Sequence, residues 1–276
     1  MGPETEQLRT RREPPAFVRA GVVRTEPRTP YLVRVTLTGP GLGALRGDEP
    51  AASVRVLLPE PGADEVVLPT WNGNEFLAAD GARPPLRTLT PLAPRASDDA
   101  EELDVEVVLH DGGPLSAWAR SAVPGTPCAV SGPGRGYEVD ADATAFVVVG
   151  DESAAPAMGT LVPRLPRHAR VGRVHEVRDP AAALDWPDHP GLEVRTVVQP
   201  SDGAPGDAAL DAVRALDLPD GVRIWGAGEA AGVQRLRRHL FEERRVPRAR
   251  TVVRGYWKVD RVPRREPAGT PMSGPG

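Results

Sequence analysis

AFVVVGD, residues 145–151, is the stretch that decides the fold. Its apolar residues run without alternation and stop at a glycine followed by an acid. A strand with that pattern is covered on both faces, as in a parallel sheet packed between helices. The chain beyond it keeps the same grammar. ESAAPAMGTLVPRLP (152–166) reads as a helix, RVGRVHEV (170–177) and GLEVRTVV (191–198) as strands, and DAALDAVRALDL (207–218) as an amphipathic helix. GVRIWGAG (221–228) is a further strand. EAAGVQRLRRHLFEER (229–244) is a helix with Val233, Leu236, Leu240 and Phe241 on its apolar face, and ARTVVRGYW (249–257) is the last strand. Alternating strands and helices predict a doubly wound parallel sheet.

Upstream the pattern is different. FVRAGVVRTEP (17–27), YLVRVTLTGP (31–40), ASVRVLLPEP (52–61), EVVLPTW (65–71), LRTLTPL (86–92) and LDVEVVLH (103–110) are short, β-rich and punctuated by Gly or Pro. They predict a six-stranded antiparallel β-barrel, closed by TPCAVSGPGRGYEV (126–139). Residues 1–15 and 262–276 are polar or Pro/Gly-rich without periodicity and are expected to be disordered tails. The predicted domains are a barrel over 16–142 and an α/β unit over 143–261.

Composition bounds the function. The chain has 276 residues, of which 32 Pro and 29 Gly make about a fifth. The hydrophobic content of 40% still allows a core, so many turns are expected rather than disorder throughout. Cys128 is the only cysteine, which excludes an intrachain disulfide, a Cys-ligated iron–sulfur cluster and a Cys-rich zinc site. His110, His168, His175, His189 and His239 are scattered without ligand spacing, so no metal site is expected; His168 and His189 are read as exposed loop residues. No apolar run approaches a membrane span or a signal core, and a cytoplasmic setting is expected. Net charge is −4 with mixed signs, so no nucleic-acid surface is expected. Lys258 is the only lysine and Ile224 the only isoleucine, a bias that GC-rich coding explains; each Arg must be argued from its neighbours.

Several segments carry chemistry. In Arg87-Thr88-Leu89-Thr90, strand alternation puts Arg87 and Leu89 on one face and Thr88 and Thr90 on the other. An Arg beside hydroxyls grips phosphate or a polar heterocycle edge, though alone the segment reads as an ordinary strand. In HDGGPLSAWA (110–119) a Gly-Gly-Pro turn opens a helix, whose N–H groups can receive a pyrophosphate with Ser116 as a hydroxyl donor; the alternative is a plain turn with Trp118 as core. GDESAAPA (150–157) ends the first parallel strand, where open α/β sheets bind ligands. It has no GxGxxG, and Asp151 and Glu152 suit a neutral or cationic ring better than a pyrophosphate. Trp225-Gly-Ala-Gly-Glu229 is another strand end, where Glu229 can cap the following helix. Tyr256 and Trp257 can cover a planar ring or pack as core.

Together these segments resemble the siderophore-interacting protein family, ferric-siderophore reductases of the ferredoxin–NADP reductase superfamily. The resemblance runs from Ala16 to Asp260 and rests on GDES-x-x-P, LH-x-x-GP-x-x-x-WA, W-x-AGE and GYW in family order. It implies that the barrel holds FAD, that the α/β unit receives NADH or NADPH, and that electrons pass to Fe(III) in a siderophore. It further implies flavin contacts at Arg87, Thr88, Leu89 and Thr90. His110, Gly113, Pro114, Ser116 and Trp118 fall on the FAD-phosphate and adenine side. Asp151, Glu152, Ser153, Trp225, Ala227 and Glu229 fall on the nicotinamide side, and Tyr256 and Trp257 near the isoalloxazine. Two positions depart from the family's R-x-Y-T-x-R: Leu89 replaces the Tyr and Leu92 the second Arg, for which Arg95 is a nearby substitute.

An anionic ferric siderophore calls for a basic patch, and Arg55, Arg135 and Arg254 are the candidates. Glu176 and Asp179 favour NADH by holding ribose hydroxyls, whereas Arg173 and Arg178 would favour a 2′-phosphate. A monomer is expected. Two further readings stand beside the reductase: a natural-product tailoring enzyme with or without redox-active flavin, and a non-catalytic ferric-siderophore binder.

Overall fold

The computed structural model describes residues 14–45, 49–96 and 101–259. The expected tails at 1–15 and 262–276 lie outside these residues, save for Pro14 and Pro15. The N-terminal strands are β1 (Val18–Thr29), β2 (Leu32–Thr38), β3 (Ser53–Leu57), β4 (Thr70–Trp71), β5 (Phe76–Leu77), β6 (Leu86–Leu89), β7 (Leu92–Ala96), β8 (Glu101–Val108) and β9 (Pro127–Gly134). Seven of them form one antiparallel sheet in the order β6-β3-β9-β1-β2-β8-β7. The two edge strands, β6 and β7, are joined only by Thr90 and Pro91, a link that spans at most about 11 Å. The sheet therefore curls until its edges lie side by side, giving a barrel.

Strand alternation fills it. Val33, Val35 and Leu37 of β2 point inward with Leu103, Val105 and Val107 of β8, all in one buried cluster. The opposite face pairs Arg34 with Glu106 at 2.8 Å and Thr36 with Asp104 at 2.7 Å. Helix α1 (Pro114–Ser121) adds Trp118 and Ala119 to the same core.

The sheet has seven strands rather than six, and its membership differs from the sequence reading. Residues 65–71 do not join it; only Thr70–Trp71 pairs, with Phe76–Leu77, as a separate ribbon. Val66 is buried against Leu57 and Ala129, and its carbonyl accepts from Arg19 Nη1 at 2.7 Å, so a side chain docks the segment in place of a ladder. The strand Leu92–Ala96 was hidden by Pro91 and Pro94, which read as turn punctuation. On an edge strand a proline costs no ladder bond if its nitrogen faces away from the partner.

The second sheet is parallel throughout. It contains β10 (Ala145–Gly150), β11 (Arg170–Val177), β12 (Leu192–Val198), β13 (Arg223–Glu229) and β14 (Thr251–Trp257), in the order β12-β11-β10-β13-β14. Phe146 and Val148 face α2 (Ala155–Leu161), whereas Val147 and Val149 face α3 (Asp207–Arg214) and α4 (Ala230–Arg238). This two-sided burial is the cause of the unalternated run at 145–149. All three helices are shorter than the sequence reading: α2 ends in a 3-10 turn at Val162–Arg164 and α4 in a π turn at His239–Glu243. No α-helix joins β11 to β12, only a 3-10 turn at Pro180–Ala182 and an irregular stretch.

The barrel and the sheet share contacts. Ala51 and Tyr137 pack in the α2-side core, and Ala51 N donates to Thr160 Oγ1 of α2 at 2.9 Å. Within the barrel, Cys128 is buried, and burial pushes its thiol up to about 12. The thiolate is the reactive form. Native protein should therefore show almost no reaction with Ellman's reagent at pH 8, and about one equivalent after urea unfolding. Rapid native labelling would contradict this burial.

Candidate functional site

The strand order reverses between β10 and β13, so their carboxyl ends diverge and leave a crevice. Asp151, one residue beyond β10, ties this crevice together. Its Oδ1 accepts from Ser153 N at 2.9 Å and Ser153 Oγ at 2.5 Å. Its Oδ2 accepts from Glu229 N at 3.1 Å and from Trp257 Nε1 at 2.7 Å. Burial pushes the carboxyl above the usual carboxylate range even though its hydrogen bonds from Ser153 and Trp257 favour the charge.

Glu229 caps α4 through Gly232 N at 2.8 Å, the role its position at a strand end predicted, and it also meets Val259 N. Glu176 enters from β11, its two oxygens accepting from Gly206 N at 2.6 Å and Ala209 N at 2.8 Å. Asp151, Glu176 and Glu229 together line a cavity of about 30 Å³ below the crevice. That is room for a water rather than a phosphate. A ring of carboxylates is also the wrong sign for a pyrophosphate.

The approach is close because of glycine. A Cβ on Gly150 would lie 2.5 Å from Ala154 Cβ and 2.8 Å from Ala227 O, and one on Gly228 would lie 2.8 Å from Asp151 Oδ2. Above this floor, Tyr256 and Trp257 are 40% and 41% exposed, unusually open for large aromatics at a strand end. Tyr256 meets Trp225 edge-on at 6.5 Å.

Other predicted residues have structural partners. Trp225 and Ala227 are buried in the sheet core, and Trp118 in the barrel core, so these are supports behind the surface rather than ring contacts. Ser116 is also buried; its hydroxyl donates to His110 O at 2.8 Å and accepts from His110 N, which leaves no proton for a phosphate. His110 itself is exposed beside Gly113 and Pro114, and Gly113 caps α1 at φ 83°, where a Cβ would be strained. Glu152 is bound to Arg178, whose Nε lies 2.8 Å from Glu152 Oε2. The same guanidinium donates to Leu109 O at 3.2 Å and lies over Tyr31, clasping the barrel to the sheet.

On β6, Leu89 lies opposite Val54 and packs on the barrel core, while Thr88 is exposed. The expected alternation fails at Thr90: the strand ends at Leu89, and Thr90 is buried in the turn to β7. Arg87 spends one N–H on Leu86 O at 2.9 Å, leaving most of its fork for a ligand. Arg95 does not replace the missing second Arg, because Asp104 and Glu102 hold it at 2.8 and 2.9 Å.

Three of the nucleotide-preference residues are likewise committed: Glu176 braces α3, Asp179 caps the 3-10 turn through Ala181 N, and Arg178 is the clasp. Arg173 is buried within the sheet. His189 is buried rather than exposed, sharing bonds with Pro166 O and Gly191 N. Arg55 lies half-buried on β3, Arg135 is exposed beyond β9, and Arg254 is exposed on β14 above a groove with Arg237, Arg238 and Arg248. Among the described residues no group of His, Cys, Asp or Glu is set to hold a metal. No helix among them is long and apolar enough to cross a membrane.

Comparison with known proteins matches the same two parts of the chain. Residues 21–137 match the siderophore-interacting FAD-binding domain, and residues 143–260 match the siderophore-interacting protein family. A siderophore utilization protein from T. fusca has 33% identity and a TM-score of 0.76, over 89% of this chain and 94% of that one. The chain belongs to the siderophore-interacting protein family.

The ferric vibriobactin reductase ViuB of Vibrio cholerae is a relative, 28% identical over 82% of this chain and 84% of its own length. The mycobactin import ATP-binding/permease protein IrtA of Mycolicibacterium smegmatis is 29% identical over 88% of this chain. This chain spans only 26% of IrtA. As a siderophore-interacting protein, the chain joins an FAD-binding barrel to a parallel sheet.

Sequence reasoning found Asp151, Glu229 and Trp257 but not the bonds that unite them. It missed the Arg178 clasp, whose only sequence signal is an Arg directly after a parallel strand.

Proposed function

We propose that this protein passes electrons from NADH or NADPH through FAD to Fe(III) held by a siderophore, releasing Fe(II). The observation that carries the reading is the pair of open aromatics, Trp257 held to the crevice by its bond to Asp151 and Tyr256 beside it, edge-on to Trp225. A planar ring system is the ligand such a surface suits.

The residues fit FAD. Arg87 keeps most of its guanidinium for phosphate, Thr88 offers an exposed hydroxyl, and the Gly112-Gly113-Pro114 turn brings α1 N–H groups to the surface beside His110. The flavin, when bound, supplies hydride acceptance and single-electron delivery. The chain's own part is to orient and exclude. Tyr256 and Trp257 cover a ring, and Asp151 fixes Trp257. The carboxylates under the crevice favour an electron-poor or cationic ring over a pyrophosphate, as suits a nicotinamide end. Arg55, Arg135 and Arg254 are proposed to attract the anionic ferric chelate. Reduction lowers its affinity for iron, since hard oxygen donors hold Fe(III) more tightly than Fe(II).

Leu89 favours a second reading. It turns an aliphatic side chain to the barrel core where the family pattern has an aromatic, which suits a member with weak or absent flavin. In that case the protein is a tailoring enzyme or a ferric-siderophore binder.

The visible spectrum separates these readings. With added FAD, a flavin spectrum that bleaches under anaerobic NADH or NADPH and recovers with a ferric siderophore is expected. Failure to retain FAD would overturn the reductase and leave the tailoring enzyme or the binder. An Arg254→Ala variant should raise KM for the ferric chelate several-fold with little change in kcat.

A further inference from the structure

The inner positions of β11 break the apolar rule of a sheet covered on both faces. Arg173 and His175 alternate with Val171 and Val177 on the side that faces α2, and both are fully buried. No helix covers this part of the sheet, because the β11–β12 crossover has only a 3-10 turn. Trp186 from the irregular part of that crossover lies over them instead. Its ring is 3.5 Å from the Arg173 guanidinium carbon and meets His175 edge-on at 5.2 Å.

The polar atoms of this cluster are unpaired. Nε, Nη1 and Nη2 of Arg173, both ring nitrogens of His175 and Nε1 of Trp186 are buried without a hydrogen-bond partner. A buried guanidinium without acceptors carries a large desolvation cost. Burial lowers Arg173 to about 10 and His175 to about 3, so the arginine keeps its charge at neutral pH while the histidine is neutral.

The missing groups are acceptors at every nitrogen but one of His175, which in a neutral imidazole itself accepts. Arginine and indole nitrogens only donate, and neutral imidazole donates from one nitrogen. A ligand here must bring several acceptors and a negative charge. Trp186 occupies one side of the guanidinium, so such a ligand meets the N–H fork at its edge, the geometry of bidentate oxyanion binding.

We propose that Arg173, His175 and Trp186 form a binding site for a small oxyanion of the phosphate type, entered by displacement of the Trp186 segment. The site is separate from the nucleotide crevice. Arg173 pairs with Val148, two residues before Gly150, which places it roughly 7 Å below the strand end. The carboxylates at that end line a different cavity, on the α3 and α4 side of the sheet.

The test uses the full chain and inorganic phosphate, with sodium chloride at matched ionic strength as the reference. Wild type should gain about 3 °C in Tm at about 20 mM phosphate. A fluorescence change assigned to Trp186 by comparison with Trp186→Phe should saturate with it. Arg173→Met should lose both responses, and without phosphate should be no less stable than wild type, since it removes an unpaired charge. Arg173→Lys, which keeps the charge but not the fork, should weaken binding about tenfold.

If Arg173→Met does not fold, calorimetric titration of wild type decides alone: saturable binding with about one site supports the proposal, and none overturns it. Equal responses to phosphate and chloride, or an unchanged response in a folded Arg173→Met, would also overturn it. So would loss of phosphate binding on saturation with NADPH, which would move the site into the crevice. Failure of the FAD test above would leave this result untouched.

Discussion

Valine at position 150 is expected to cost at least about 3 kcal/mol, the upper end of what overpacking a core does. The added Cβ alone would lie 2.5 Å from Ala154 Cβ and 2.8 Å from Ala227 O. Neither neighbour can swing aside: one belongs to the turn that starts α2, and the other is the backbone of the adjacent strand β13. Relief would mean separating β10 from α2 or from β13, and either change widens the floor of the crevice. The control is Gly159→Ala in α2, where a Cβ would meet nothing within 4 Å. Removing a helix-interior glycine there should add about 0.5–1 kcal/mol. Urea midpoints for the two variants should therefore move in opposite directions. A Gly150→Val protein as stable as wild type would show that the close packing of Gly150 is not real.

Asparagine in place of Asp151 is the second large effect, at about 2–3 kcal/mol. The four partners, Ser153 N, Ser153 Oγ, Glu229 N and Trp257 Nε1, all donate. Asparagine has one acceptor oxygen, so its NH₂ must face donors and at least one of these donors loses its partner. Trp257 should lose its tether, seen as a red shift and lower anisotropy of its emission.

The variant also has a signature in pH. Burial raises the folded-state pKa of Asp151, and burial raises that of Glu176 too. A raised carboxyl pKa means that the native state holds a proton the unfolded chain has released. Stability from these groups is thus greatest below the unfolded values of about 3.9 and 4.3, and falls as pH rises through the folded ones. Asp104 acts the other way. Burial alone would raise it, but hydrogen bonds from Arg95 and Thr36 outweigh burial and lower it, so its contribution is lost as pH falls. The difference between wild type and Asp151→Asn, followed upward from pH 4, isolates the Asp151 share. A difference that does not change with pH would show that Asp151 is not perturbed.

Much of this site was legible before any coordinates. Asp151, Glu229, Tyr256 and Trp257 stand at strand ends, and strand ends follow from local apolar periodicity. Arg87 and Thr88 were singled out differently, as an arginine beside hydroxyls and by the family pattern, and their role toward a ligand is part of the proposal. What failed was the assignment of ligand contacts to Ser116, Trp118, Trp225 and Glu176. Ser116 and Trp118 flank the exposed Ala117, whereas Trp225 and Glu176 lie within buried stretches of strand, and all four turn inward: Ser116 to close its own turn, the tryptophans to fill cores, and Glu176 to hold the start of α3. His189 was misjudged for the same reason, since a loop that packs under Pro166 looks in sequence like one that does not.

By itself the sequence determined the order of the two units, the parallel sheet and the places where strands end. These follow from hydrophobic periodicity, which is a property of neighbours along the chain. Only the tertiary structure decided that residues 92–96 join the barrel sheet and 65–71 do not, that Arg178 clasps barrel to sheet, and that Arg173 lies unpaired beneath Trp186. Those outcomes depend on which distant segment covers a residue and whether it brings a partner. A polar side chain carries the same letter whether its hydrogen bonds go to water, to its own backbone or to a ligand.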